Sequence, residues 1–177
     1  MGFVIKTAFI LLMINSQIAE AQKINKKVEV KAQNSTYVYT KLSSGRQVLV
    51  AKKNSLPSVS SNSSDVRHLS YSEYTSKKSV SKTIHEVFSD SRLKELLPEK
   101  VMLVNMYINN SGRVIAVEYY LNSSTKITAF ELEIFENALK RNVSFKLSKD
   151  DSNSDKVFAP ITQSIHFQQV LNKTFLY

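Results

Sequence analysis

Residues 101–141 hold the pattern that most constrains the fold. Val101–Ile108 alternates, with Met102, Val104, Met106 and Ile108 on one face and Val101, Leu103, Asn105 and Tyr107 on the other. Asn109-Asn110-Ser111-Gly112 follows, a turn in which Asn and Gly tolerate positive φ. Residues 113–121 then return antiparallel, a reading that groups Ile115, Val117, Tyr119 and Leu121 on one face. Ser123 and Ser124 leave the strand. Thr128 and Glu131 have the spacing of a capping box, and Ile127 with Leu132 that of a hydrophobic staple. The helix they start is read with Phe130, Ile134, Phe135, Ala138 and Leu139 as its apolar stripe. Lys140 and Arg141 sit at its end, where positive charge suits the helix dipole.

The flanking segments extend this unit. Val143, Phe145 and Leu147 alternate as a strand, residues 148–155 are a polar loop, and Pro160 precedes a last strand over 161–169. Ile165 and Phe167 face one way on that strand. Upstream, residues 79–97 read as helix, with Val80, Ile84, Val87, Phe88, Leu93, Leu96 and Leu97 at helical spacing. Ser89-Asp90-Ser91 divides this helix in two and Pro98 stops it. Residues 28–33, 36–42 and 47–51 are three short strands, with Val28, Val30 and Ala32 expected half-buried. They can form a small meander that extends a sheet. Residues 54–78, rich in Ser and Asn, read as a linker or surface loop. The whole is α+β: a two-layer sandwich with two helices packed on a mostly antiparallel sheet.

The N-terminus points to a compartment. Lys6 precedes the apolar run of residues 8–14, and Ala19-Glu20-Ala21 has the small residues a signal peptidase accepts. We therefore read 1–21 as a cleavable signal peptide, cut before Gln22. The run is far shorter than the roughly 18–20 residues that span a bilayer. There is no Cys. Export without disulfides favours the periplasm or cell surface of a Gram-negative bacterium. The net charge is +9, and most of it lies in residues 22–56, where Glu29 alone opposes eight Lys and Arg side chains. Lys26, Lys27, Lys52 and Lys53 mark a possible basic patch for an anionic surface. The competing reading is a solvated, soluble face.

The element order of residues 80–170 resembles the C-terminal domain of TonB-type energy transducers. The residues that carry the resemblance are Val101–Ile108, Asn110-Ser111-Gly112-Arg113-Val114, the alternating strand 115–120, Ser123-Ser124, a helix over 130–140 with Ala138, and Val143-Ser144-Phe145-Lys146. The Trp usual before the Phe in that family is missing, and Leu147 stands where Pro is common. A transducer also has an uncleaved anchor and a long Pro-rich spacer. The resemblance thus implies a TonB-like domain, residues 79–177, detached from energy transduction. The overall look is similar to small exported proteins of gut Bacteroidetes.

Catalytic signals are weak. His68, His85 and His166 show no metal-binding spacing, and His85-Glu86 is half of a zinc motif. The acidic run 150–155 lacks the Gly and terminal Glu of an EF-hand loop. Ser79 and Lys82 have Ser-x-x-Lys spacing inside a Ser- and Lys-rich stretch, which carries little weight. Three glycines, Gly2, Gly45 and Gly112, cannot build a phosphate-cradling loop. No cofactor, no metal and no nucleic-acid partner are expected. Tyr107, Tyr119 and Tyr120 are read as cross-strand packing partners rather than a ligand platform. The expected function is non-enzymatic: an exported domain that binds an unknown protein partner by strand addition. The expected edge is the last strand, with Ile161, Gln163, Ile165, Phe167 and Gln169 at the contact. The alternatives are a module for glycan or anionic lipid built on the basic residues, and a hydrolase from scattered Ser, His and Asp.

Overall fold

A computed structural model describes residues 27–54, 66–67, 76–147, 157–158 and 160–174. The expected signal peptide, Lys26, His68 and the acidic run 150–155 lie outside the described residues.

Six strands form one antiparallel sheet: β1 (Val28–Lys31), β2 (Thr36–Lys41), β3 (Arg46–Ala51), β5 (Val101–Ile108), β6 (Val114–Asn122) and β8 (Ile161–His166). Their spatial order is β1-β2-β3-β6-β5-β8. Two short strands, β4 (Val66–Arg67) and β7 (Val157–Phe158), pair parallel in a separate ribbon. Helices α1 (Ser76–Val87), α2 (Asp90–Glu95), α3 (Ala129–Asn142) and α4 (Phe167–Leu171) complete the described elements, with a 3₁₀ turn over Leu97–Glu99. The chain is therefore α+β, with helices against a mostly antiparallel sheet. The N-terminal meander joins this sheet through β3 and β6, where Val50 lies opposite Glu118. Residues 28–54 thus share a sheet with the unit read as 79–177.

Local rules explain most element ends. Ser89 caps α2 by accepting from the Arg92 amide, which fixes the break inside the upstream helix. Thr128 and Glu131 form the expected capping box, and Ile127 and Leu132 are both buried. At the hairpin turn, Asn109 Oδ1 accepts from Ser111 N at 3.1 Å and Arg113 N at 3.0 Å. Gly112 has φ +74°, and a Cβ there would overlap the Phe145 carbonyl oxygen. Only glycine fits that site.

The structure corrects five local expectations. Ile115 is exposed rather than grouped with Val117, because the register shifts between Tyr107 and Ile108 and leaves Ile115 as the extra residue of a bulge. The stripe on α3 is rotated: Phe130 and Ile134 are exposed, whereas Leu132, Phe135, Ala138 and Leu139 are buried with Glu133 and Glu136. Val143, Phe145 and Leu147 make no strand, only one bridge between Arg113 and Ser144. β1 is exposed along its length, so Val28 and Val30 are not half-buried. The last strand ends at His166, and Phe167 and Gln169 belong to α4.

The core lies between the sheet and the helices. Leu49, Met102, Val104, Met106, Val117, Tyr119 and Ile165 rise from the sheet to meet Val80, Ile84, Phe88, Leu93, Leu96, Leu132, Phe135 and Leu139. Phe135 stacks edge-on with Phe88, the ring centroids 5.8 Å apart.

Candidate functional site

Among the described residues the sheet ends at β8 on one side and β1 on the other. Among the same residues β8 pairs only with β5, Ile165 opposite Met102 and Thr162 opposite Asn105. Its side chains split by parity. Gln163 and Ile165 are buried toward the helices and Ile161 is half-buried, whereas Thr162, Ser164 and His166 are exposed on the other face. Phe167 and Val170 then bury α4, which touches α2. The far end of the edge strand is thus bolted to the core. Gln169 is exposed on α4 and lies outside the strand.

The sheet face away from the helices carries a polar row that centres on Glu118. Its Oε2 accepts from Asn105 Nδ2 at 2.9 Å, Tyr120 Oη at 3.2 Å and Tyr107 Oη at 3.4 Å. Asn105 Oδ1 accepts in turn from Thr162 Oγ1 at 2.7 Å. Burial, and then the Glu118 charge, push the Tyr107 phenol up to about 12 and raise that of Tyr120. This row ties β6, β5 and β8 together across three strands. Tyr107 and Tyr120 therefore serve as packing and hydrogen-bond partners here, and Tyr119 is buried on the helix side, its hydroxyl donating to the Leu132 carbonyl. The aromatic spacing pointed to Tyr107 and Tyr120, but nothing in it marked Glu118 as their shared acceptor.

Two carboxylates buried on α3 hold the meander. Glu133 accepts from the backbone amides of Gln33 at 2.8 Å and Asn34 at 3.0 Å. Burial opposes its ionisation, but these bonds and that from the Ser35 side chain win and hold its pKa below the usual carboxylate value. Glu136 accepts from Tyr37 Oη and Asn54 Nδ2, each at 2.8 Å, and from Lys140 Nζ at 2.7 Å. Burial, then the Glu136 charge, raises the Tyr37 phenol well above its ordinary value. Each buried carboxylate is satisfied by protein donors, and these bonds dock the strands on the helix.

The expected basic patch is divided. Lys27 immediately precedes β1, whereas Lys52 and Lys53 follow β3 next to the Lys31 end, where Lys52 N bonds the Thr36 carbonyl. Four strand residues separate the two ends by roughly 13 Å. Lys52 Nζ is bound to Glu29 at 2.8 Å, and Lys53 helps to stabilise the Glu133 charge. His85 is half-buried, 3.8 Å from Asp90, and His166 is exposed on β8. Among the described residues no three His, Cys, Asp or Glu side chains gather to hold a metal. Among the same residues no helix is long and apolar enough to cross a membrane.

No family model matches the sequence, and no curated protein matches it significantly. The fold has a solved counterpart. A crystal structure of a DUF5043 family protein from Bacteroides uniformis is similar, with a TM-score of 0.56 and 17% identity. The match covers 80% of this chain and 85% of that one. At that identity the likeness concerns the fold. Its source lies in the bacterial group that the sequence resembles.

Proposed function

We propose that this chain is an exported, non-catalytic protein-interaction domain of the periplasm or cell surface that captures its partner by strand addition at β8. The observation that carries the reading is the place of β8 at one end of the six-stranded sheet, with Gln163 and Ile165 fixed in the core beneath it. An edge strand offers unpaired N–H and C=O groups as a template. Here the template is stiff, so little ordering entropy opposes pairing. In this mode the backbone supplies affinity and alternate side chains supply selectivity. On the solvent face those side chains would meet Thr162, Ser164 and His166.

Proline supplies the test. Neighbouring strand residues aim their N–H groups to opposite sides. Phe167 N donates to the Lys100 carbonyl, so by the same parity the Ile165 N–H faces β5, and of Ser164→Pro and Ile165→Pro only the latter breaks that pairing and opens the core. The other should keep the wild-type melting temperature. In the producing cell that variant should lose the crosslink formed from a photoreactive residue placed at Thr162. A folded variant that crosslinks as the wild type does would sink the reading.

A further inference from the structure

The opposite edge has a different character. Val28 is 48% exposed and Val30 36%, on the helix side of β1, where they pair with Tyr39 and Tyr37. Helix α3 touches β1 and adds Phe130 at 47% and Ile134 at 40%. Four of the five large exposed apolar side chains among the described residues thus lie on two adjoining elements. Single exposed apolar residues are ordinary, but a group of them at an open strand edge marks an interface.

The other face of β1 identifies the occupant. It carries Glu29 opposite Val38 and Lys31 opposite Thr36. Lysine on an edge strand usually blocks pairing. Pairing with β1 of a second copy about a two-fold axis lifts that block at Lys31 in one register. With Val30 on the axis, Glu29 lies opposite Lys31 of the second copy, Lys31 opposite its Glu29, and Val28 opposite its Ala32. With Glu29 on the axis, Glu29 would meet Glu29, and Lys27 would meet Lys31. Cross-strand charge therefore selects the first register. Glu29 also binds Lys52 through Oε1.

We propose that β1 is a self-association edge: two copies pair antiparallel through residues 28–32, and the six-stranded sheet continues across a two-fold axis. The interface is isologous, so each contact occurs twice. Outer-face ion pairs flank a Val30–Val30 contact on the helix side, beside Phe130 and Ile134. The paired segment is short, which sets a weak, reversible dimer, on the order of micromolar or weaker.

Sedimentation velocity of the purified chain over a concentration series tests this. The wild type should exchange reversibly between monomer and dimer. Glu29→Lys and Lys31→Glu should each weaken association by roughly tenfold, because each sets like charges opposite one another twice. An equimolar mixture of the two variants should restore it, since each then supplies the charge that the other lacks. Both side chains are exposed, so the variants should melt as the wild type does. A chain that stays monomeric at every concentration overturns the proposal. So does a dimer that the single variants leave intact, or one that the mixture fails to restore.

Discussion

The two halves of the sheet are held by different physics. β5, β6 and β8 press Met102, Val104, Met106, Val117, Tyr119 and Ile165 onto helices that bury Phe88, Leu93, Leu96 and Phe135. The β1–β3 meander contributes far less, chiefly Tyr37, Leu49 and Ala51. What it lacks in apolar contact it replaces with charge-assisted hydrogen bonds to Glu133 and Glu136 of one helix. Apolar burial is indifferent to pH and tolerant of small shifts. A buried carboxylate is neither, because it must stay ionised and must keep its donors. One sheet therefore has a half secured by volume and a half secured by proton state.

The contrast can be broken first on the apolar side. Phe135→Ala removes a ring that packs on Phe88 and lies 6.2 Å from Tyr119. It should cost about 3–5 kcal/mol. Urea unfolding followed by tyrosine fluorescence should show the loss, equal at pH 7 and pH 5. Next, Gly112→Ala forces a Cβ against the Phe145 carbonyl and strains a positive φ. It should cost about 2–4 kcal/mol by the same measurement, with a displaced 143–147 segment.

The carboxylate side is sharpened by acid. Glu133 and Glu131 are both held below the ordinary carboxylate value of 4.5. Burial opposes the shift at each, and hydrogen bonds overcome it, from Asn34, Ser35 and Gln33 for Glu133 and from Arg92 and Thr128 for Glu131. A depressed carboxylate stabilises the folded state fully above its unfolded pKa, and that gain is lost as pH falls through the folded value. Stability should therefore hold down to about pH 4.5 and decline below it. Hydrogen exchange in the acid range should show amides of β1 and β2 opening before those of β5 and β6. Glu133→Gln should cost about 1–3 kcal/mol at pH 7 and flatten the acid decline. Identical protection of both halves at acid pH would remove the distinction drawn here.

The same contrast explains what the sequence made legible. The hairpin, the capping box and the split upstream helix follow local rules, and residues 101–132 display them openly. The N-cap at Ser89 needed only its neighbours. The apolar stripe of α3 was misread because hydropathy assigns Glu133 and Glu136 outward and Phe130 and Ile134 inward. The structure reverses both, since the donors that satisfy those carboxylates stand about 100 residues earlier in the chain. No periodicity encodes such a partner. Ile115 is displaced by one bulge, while Val117, Tyr119 and Leu121 keep the buried face expected of them. The last strand was expected at an edge of the sheet, and it lies at one end of the strand order, yet its end at His166 was not legible, because Phe167 serves the core equally well from a strand or from a helix. The place of β1 is not legible either: it alternates like a half-buried strand, and only the sheet order puts it at an edge among the described residues.

The join between β3 and β6 has a consequence for the order of assembly. The meander leaves the ribosome well before its partner strand exists, and its clamp from Tyr37 to Glu136 closes a span of 99 residues. Closing so long a span is slow, and until it happens a two- or three-stranded ribbon must survive nearly alone. During that interval both sides of the ribbon are unpaired, and Val48, Leu49 and Val50 stand open to any passing chain. The danger to this protein is thus greatest while it is half made, and Lys31 in its first strand, with Lys27 just before it, is the guard most plainly present at that moment.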